Sequence, residues 1–222
     1  MKDNCSELAF ILDRSGSMAG LESDTIGGFN AFLESQKVLP GEARLTTVLF
    51  NHRDSLLHDR LDIRAVARLT EKEYAVGGST ALLDAVGRTI DKIERAMQHT
   101  AEEYRAGRVL FVITTDGMEN ASREYALERV RAMIERQKRE RGWEFLFLGA
   151  NIDAVEAAGD LGIAPDRAQN YCGDSEGTHL NFKAVSAAAA SFRACGLMDE
   201  HWGEEIQQDF LRLSGKSPKR RA

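Results

Sequence analysis

Five oxygen-bearing side chains stand at three places where an apolar or glycine-rich stretch of the sequence gives way to polar residues. Three of them lie within five residues directly after an apolar run, one follows Gly-Gly-Ser, and one closes a second apolar run. The five are Asp13, Ser15, Ser17, Thr80 and Asp116. Carboxylate and hydroxyl oxygens without paired His or Cys suit Mg²⁺ or Mn²⁺ rather than Zn²⁺. The set therefore indicates a hard-cation site.

A second interpretation applies to the first three of these residues. Asp and Ser also cap helices and stabilise turns, so Asp13, Ser15 and Ser17 could serve only the local backbone. Thr80 and Asp116 have no part in that local role, and they favour the metal site. Mg²⁺ is coordinated by about six oxygens, and some of these usually belong to water molecules or to a binding partner. Five side chains, two of them anionic, leave room for that.

The elements that would position these residues alternate between apolar strands and amphipathic helices. The strands are predicted at residues 8–12, 45–50, 109–113, 144–148 and 168–172, and helices at 26–33, 82–97, 127–141, 153–161 and 177–194. Such alternation predicts an α/β fold of three layers, a mostly parallel central sheet with helices on both faces. In such Rossmann-like sheets ligands bind beyond the carboxyl ends of the strands, where the polar clusters stand.

One further strand differs from the rest. Residues 55–63 are strand-like but polar, and only the short polar link 51–54 separates them from the strand at 45–50. This spacing predicts a hairpin, and the polar second strand suits the edge of a sheet. We therefore expect one antiparallel edge strand in the otherwise parallel sheet.

Composition and charge limit the function classes. The chain has 222 residues, 43% of them hydrophobic and 29% charged, with a formal net charge of -6. It can form one domain with a real core, which we place at residues 1–197, followed by a helical extension and basic tail at 198–222. The negative charge provides no general attraction for nucleic acid or anionic membranes. The signs alternate along the helix at 127–141, which indicates a solvated face.

The cysteines and the N-terminal residues indicate the compartment of the protein, and the positions of the histidines indicate their role. The three cysteines lack CxxC spacing and are odd in number, which predicts free thiols in a reducing compartment. The first apolar run is too short for a signal peptide or a membrane span, so we expect a cytoplasmic protein. The five histidines lie in charged segments, and we expect all of them to be solvated and without a catalytic role.

The three polar clusters together resemble a known site. Asp13-Arg-Ser15-Gly-Ser17, Gly78-Ser79-Thr80 and Thr115-Asp116-Gly117 are similar to the three loops of the metal-ion-dependent adhesion site of von Willebrand factor type A domains. The resemblance covers about residues 5–195, includes the hairpin edge strand, and departs at none of the five metal positions. It is closest to stand-alone, bacterial-type members of that family.

The resemblance implies specific roles. Ser15, Ser17 and Thr80 would be direct ligands of Mg²⁺ (or Mn²⁺), while Asp13 and Asp116 would hold metal-bound waters or move into direct contact. A partner protein's Asp or Glu would complete the coordination shell. The implied function is protein binding, as an intracellular adaptor or scaffold, and not catalysis. The residues themselves leave the partner and the oligomeric state undefined.

Besides protein binding, an enzymatic function and a purely structural function stay open from the residues alone. A Mg²⁺-dependent phosphohydrolase with Asp13 as nucleophile would want a second carboxylate two residues on, where this chain has Ser15, and a lysine on the phosphate. A nicotinamide enzyme would want a GxGxxG turn after the first strand, which is lacking. The third function is structural, with a vestigial metal site. We expect a binding module rather than an enzyme.

Overall fold

The central element is a six-stranded sheet in the order β3-β2-β1-β4-β5-β6. The computed structural model describes residues 2–215. Its strands are β1 (Lys2–Asp13), β2 (Glu42–Phe50), β3 (Asp54–Asp62), β4 (Ala106–Thr115), β5 (Glu144–Gly149) and β6 (Ala168–Asn170). All neighbouring pairs are parallel except β2 and β3, which form the antiparallel edge pair. The predicted three-layer α/β fold with one antiparallel edge strand is confirmed.

Helices cover both faces of this sheet. They are α1 (Glu22–Lys37), α2 (Leu82–Gln98), α3 (Leu127–Arg141), α4 (Ala154–Asp160), α5 (Ser175–Cys195) and α6 (Glu204–Ser214). Alternate residues of each buried strand point to opposite faces, so Leu8, Phe10 and Leu12 pack with α1, α5 and α6. Ala9 and Ile11 pack with α2, α3 and α4 on the other face. Two separate apolar cores therefore fix the sheet between its helices.

Strands β1 and β4 are direct neighbours at the centre of the sheet. Their parallel register pairs Leu12 with Thr114, so the residues that follow the two strands emerge side by side. This placement brings the loop after Asp13 next to the loop that contains Asp116.

Several boundaries differ from the sequence predictions. Strand β1 begins at Lys2, and β6 ends at Asn170. The helical extension expected from residue 198 begins only at Glu204, after a turn. Trp202 and Ile206 pack into the core of the α1, α5 and α6 face. The division of the chain at residues 197 and 198 stays a proposal, and the basic tail from residue 216 onward lies outside the described residues.

One expectation about the histidines was wrong. His58 lies on the edge strand β3 but is only 7% exposed. Its Nδ1 lies 3.0 Å from Thr47 Oγ1, and its ring stacks near Phe29. The edge strand has one face against the core, so a histidine in a charged segment can still point inward. Among residues 2–215, no helix is both long and apolar enough to cross a membrane.

Candidate metal centre

Asp13 is the last residue of β1, and its carboxylate is fully buried. Oδ1 accepts a hydrogen bond from the backbone N–H of Ser15 at 2.6 Å. Oδ2 accepts one from Thr115 Oγ1 at 2.7 Å and a longer one from the backbone N–H of Asp116 at 3.4 Å. The Asp13 carboxylate therefore holds together the loops that follow the two central strands.

Ser15 and Ser17 belong to a short 3-10 turn after β1. Their hydroxyl oxygens lie 3.1 Å apart, which places them on the same side of the turn. The backbone N–H of Gly16 donates to the carbonyl of Gly78 at 2.9 Å, and that of Gly77 donates to the carbonyl of Arg14 at 2.9 Å. These two bonds fix the first loop against the glycine-rich loop that leads to Thr80.

Thr80 lies just before α2 and is buried. Its backbone N–H donates to Asn120 Oδ1 at 2.9 Å, and its carbonyl accepts from the N–H groups of Asn120 and Ala121 at 3.0 and 3.2 Å. Its hydroxyl makes no hydrogen bond with any of residues 2–215. The backbone of Thr80 is thus fixed to the third loop, while Oγ1 stays available.

The three hydroxyls meet beside Gly117. A methyl group built on Gly117 would stand 3.0 Å from Thr80 Oγ1, 3.2 Å from Ser17 Oγ and 3.9 Å from Ser15 Oγ. Three hydroxyl oxygens from two loops thus surround the space that a side chain at position 117 would fill. A glycine at this position keeps that space open next to Asp116.

Asp116 adds the second carboxylate. It is buried, and Oδ1 accepts a hydrogen bond from the Asn151 side chain. Burial raises the pKa of Asp116, the bond from Asn151 opposes that rise, and the negative charge of Asp13 adds to it. Two close carboxylates with little solvent produce a negative potential that a cation would offset.

The structure brings all five predicted residues to the carboxyl edge of β1 and β4. Asp13, Ser15 and Ser17 come from one loop, Thr80 from the second and Asp116 from the third. The described residues contain no group of three or more His, Cys, Asp or Glu suited to a metal. A site with three hydroxyls and two carboxylates does not need one. Oxygen donors around an open space fit a small hard cation.

Three residues that support this arrangement were not assigned a role from the sequence. Thr115 donates to Asp13, Asn151 donates to Asp116, and the buried Tyr74 donates its hydroxyl proton to the carbonyl of Asp13. Asn151 has a φ of +54°, a left-handed conformation that Asn tolerates. Asn151 follows the apolar strand β5 as Asp116 follows β4, so the same sequence signal could have identified it. Nothing in the sequence pointed to Tyr74.

Met118 and Glu119, two residues of the third loop, have different roles. Met118 is 75% exposed and stands beside the site. Glu119, in contrast, accepts backbone hydrogen bonds from Leu83 at 2.9 Å and from Ala121 and Ser122 at 2.9 and 2.8 Å. It fixes the third loop to the first turn of α2.

No family model and no curated protein matches the sequence. Solved structures do match in fold. Proximal thread matrix protein 1 from the mussel byssus, with a zinc-occupied metal-ion-dependent adhesion site, is 14% identical over 83% of this chain and 46% of its own, with a TM-score of 0.56. A von Willebrand factor type A protein from Catenulispora acidiphila is 15% identical over 83% of this chain and 42% of its own, with a TM-score of 0.57.

Manganese-loaded TRAP protein from Plasmodium vivax is 18% identical, with a TM-score of 0.58, over 82% of this chain and 74% of that one. The chain spans less than half the length of the first two proteins. At these identities the comparison concerns the fold alone. The fold is that of von Willebrand factor type A domains, and two of these neighbours hold a divalent metal.

Proposed function

We propose that this chain is a protein-binding module whose contact with its partner depends on a divalent cation. Asp13, Ser15, Ser17, Thr80 and Asp116 would hold Mg²⁺ or Mn²⁺, and an Asp or Glu of the partner would complete its coordination. The convergence of three hydroxyls and two carboxylates around the open space at Gly117 is the observation that carries the proposal.

The chemistry of the donors supports binding of a carboxylate. Neutral hydroxyl ligands leave more positive charge on the cation than carboxylate ligands would. The bound cation supplies an electrophilic centre that attracts an anionic oxygen of the partner. Hydrogen bonds within the chain hold the three loops in register. Because Gly117 has no side chain, space is left for the partner's carboxylate to approach.

Hydrolysis with Asp13 as nucleophile is less well supported. Both oxygens of the Asp13 carboxylate accept hydrogen bonds, from Ser15 and from Thr115 and Asp116. A carboxylate that is buried and held in this way connects loops rather than attacks a substrate. We therefore propose a non-enzymatic adaptor or scaffold. The free cysteines Cys5, Cys172 and Cys195 are compatible with the reducing cytoplasm that we propose as its location.

Calorimetric titration with Mg²⁺ and Mn²⁺ tests the metal site. The sharpest variant is Ser17→Ala/Thr80→Val, because within residues 2–215 the Ser17 hydroxyl hydrogen-bonds only to the hydroxyl of Ser15 and the Thr80 hydroxyl makes no hydrogen bond. We expect this variant to fold normally and to bind Mn²⁺ at least about tenfold more weakly, because two of the oxygen ligands are gone.

The matched control is Ser55→Ala/Thr178→Val. It removes an exposed serine hydroxyl on β3 and a buried threonine hydroxyl on α5, and neither lies among the proposed ligands. This control should bind Mn²⁺ as the unmodified protein does. Equal Mn²⁺ affinity in the unmodified protein and the Ser17→Ala/Thr80→Val variant would place the metal elsewhere, and the proposed function would be wrong.

A further inference from the structure

We propose that a cleft beside the metal site binds the segment of the partner that flanks its metal-binding carboxylate. The segment would carry an aliphatic side chain and a Lys or Arg. This inference rests on the proposed function and adds the chemical character of the partner. The position of the cleft, its apolar lining, the carboxylates at its far end and the arginines on the opposite side of the metal site support it.

The cleft adjoins the proposed metal site at Gly117. It has a volume of about 440 Å³ and lies between the first turn of α2, the loop after β4 and the short helix α4. Gly117 lines the cleft and also borders the three hydroxyls of the metal site. A peptide that places a carboxylate on the metal would therefore reach the cleft with its neighbouring residues.

The lining of the cleft is apolar. Phe147 and Leu161 are almost fully buried, and Met118 stands at the mouth with 75% of its surface exposed. An exposed apolar side chain at the mouth of an apolar cleft is typical of a binding surface. The apolar side chains that line it are Leu82, Leu83, Met118, Leu127, Phe147, Ile152 and Leu161. An aliphatic side chain of the partner suits this surface.

Carboxylates surround the far end of the cleft. Asp153 accepts hydrogen bonds from the backbone N–H groups of Val155 and Glu156 and so caps α4. Glu156 and Asp160 lie one and two turns further along, and both are exposed. No cationic side chain of the described chain forms an ion pair with any of these three carboxylates. A Lys or Arg of the partner would supply the missing positive charge.

The opposite side of the metal site has the opposite charge. Arg14 lies in the first loop and Arg53 in the turn between β2 and β3, and neither forms an ion pair with a carboxylate within the described part of the chain. Among the described residues, arginines without an ion pair thus lie toward β2, and carboxylates without an ion pair lie toward α4. Complementary charge would orient the partner, with its basic flank on the α4 side.

The experiment uses the full chain and a phage-displayed library of random dodecapeptides. Selection takes place in Mn²⁺, and elution with EDTA recovers only peptides whose binding depends on the metal. Recovered peptides are then synthesised, and their affinities are measured for the unmodified protein and for Glu156→Lys/Asp160→Lys. The control variant Glu102→Lys/Glu103→Lys makes the same change in net charge just before β4, at the amino end of the sheet.

We expect the eluted peptides to share an Asp or Glu followed or preceded, within a few residues, by an aliphatic residue and a Lys or Arg. Glu156→Lys/Asp160→Lys should bind them about tenfold more weakly, since attraction is replaced by repulsion, and should bind Mn²⁺ alone with unchanged affinity. The Glu102→Lys/Glu103→Lys control should bind the peptides as the unmodified protein does.

The other outcomes separate this inference from the proposed function. Acidic, EDTA-eluted peptides without the aliphatic and basic flank, or with equal affinity for Glu156→Lys/Asp160→Lys, would overturn the cleft assignment and leave the metal-dependent function intact. No EDTA-dependent peptide at all would overturn both. Peptide binding that requires removal of residues 216–222 would assign the cleft to the chain's own basic end, and the inference would be wrong.

Discussion

Gly117 is the residue whose lack of a side chain matters most to the proposed site. Ser15, Ser17 and Thr80 are common in turns and helix starts, and their hydroxyls could belong to ordinary loops. They differ from ordinary loop residues because their hydroxyl oxygens, which come from two loops, lie close together next to Gly117. The site therefore depends on a space as much as on its oxygen atoms.

Substitution of Gly117 by alanine should fill that space. The new methyl group would lie 3.0 Å from Thr80 Oγ1 and 3.2 Å from Ser17 Oγ, so the hydroxyls would have to move by a few tenths of an ångström. We expect Gly117→Ala to lower the affinity for Mn²⁺ at least about tenfold, while the free energy of unfolding changes by about 1 kcal/mol or less. Calorimetry and urea unfolding measure the two quantities.

Gly159→Ala is the control for this substitution. A methyl group there would meet nothing within 4 Å, and the residue lies inside α4. Alanine should stabilise that helix by roughly 0.5–1 kcal/mol and leave Mn²⁺ binding unchanged. An affinity for Mn²⁺ that is equal in Gly117→Ala and the unmodified protein would contradict the placement of the metal.

The buried His58 makes the stability of the protein depend on pH. Burial lowers the pKa of His58 below its ordinary value, and the nearby charge of Glu73 opposes this only in part. When the pH falls below about 6.5, the unfolded chain takes up a proton at this residue before the folded protein does. The stability contributed by neutral His58 is therefore present above about pH 6.5 and is lost as the pH falls toward its folded pKa.

Urea unfolding at pH 7 and pH 5 measures how the free energy of unfolding changes with pH. His58→Asn keeps a side-chain partner for Thr47 but cannot titrate, so its loss of stability between the two pH values should be smaller than that of the unmodified protein. His99→Asn, at an exposed position at the end of α2, should show the full loss. Equal losses in all three proteins would show that His58 does not contribute.

At the scale of elements, helices α1 and α5 cross at a glycine. A methyl group on Gly28 would lie 2.2 Å from the ring of Phe182, whereas one on the neighbouring Gly27 would meet nothing within 4 Å. Both residues lie in the interior of α1. Alanine substitutions at Gly28 and Gly27 therefore distinguish the effect of close packing on stability from the effect of helix propensity.

Gly28→Ala should destabilise the protein by about 1–3 kcal/mol, because the Phe182 ring must move within a packed core. Gly27→Ala should stabilise it by roughly 0.5–1 kcal/mol, because alanine favours the helix and the site is open. Urea unfolding measures both changes. Destabilisation by both substitutions would mean that the helix, and not the contact with Phe182, requires glycine here.

The elements themselves could be predicted to a large extent from the sequence. The uniformly apolar runs around Ile11, Leu110 and Leu146 identified central strands, because strands covered on both faces have no polar alternation. The polar run after Phe50 identified the edge strand. Gly142 ends α3 in a left-handed conformation with φ of +63°, a role that glycine favours at helix ends. These signals are local, so the sequence contains them directly.

Other features depend on contacts that a local pattern does not contain. Residues 2–7 extend β1 although Lys2 and Glu7 are polar, because Lys2 pairs with Ala106 of β4 and Glu7 pairs with Arg44 of β2 and Val109 of β4. Among these, Glu7 is fully buried and accepts a hydrogen bond from Arg60 at 3.0 Å. Thr115, Asn151 and Tyr74 support the site through hydrogen bonds to residues that are distant in the chain. Their roles follow from the folded topology.

At the scale of the whole molecule, sheet order explains why the site exists. Placing β1 beside β4 brings two loops together that are about a hundred residues apart in the chain, and the glycine-rich loop before α2 closes the third side. The cleft toward α4 and the arginines toward β2 then give this edge of the sheet opposite charges at its two ends. The net charge of -6 does not reveal such a distribution.

Pulsed electron–nuclear double resonance (ENDOR) can detect whether a carboxylate binds the metal held by this chain. The protein is loaded with Mn²⁺, acetate labelled with ¹³C at the carboxyl carbon is added, and pulsed ENDOR spectra are recorded. We predict a ¹³C hyperfine coupling that is present in the unmodified protein and in Gly159→Ala and absent in Ser17→Ala/Thr80→Val. Protein-bound Mn²⁺ without a ¹³C coupling in the unmodified protein would contradict the claim that a partner's carboxylate completes the site.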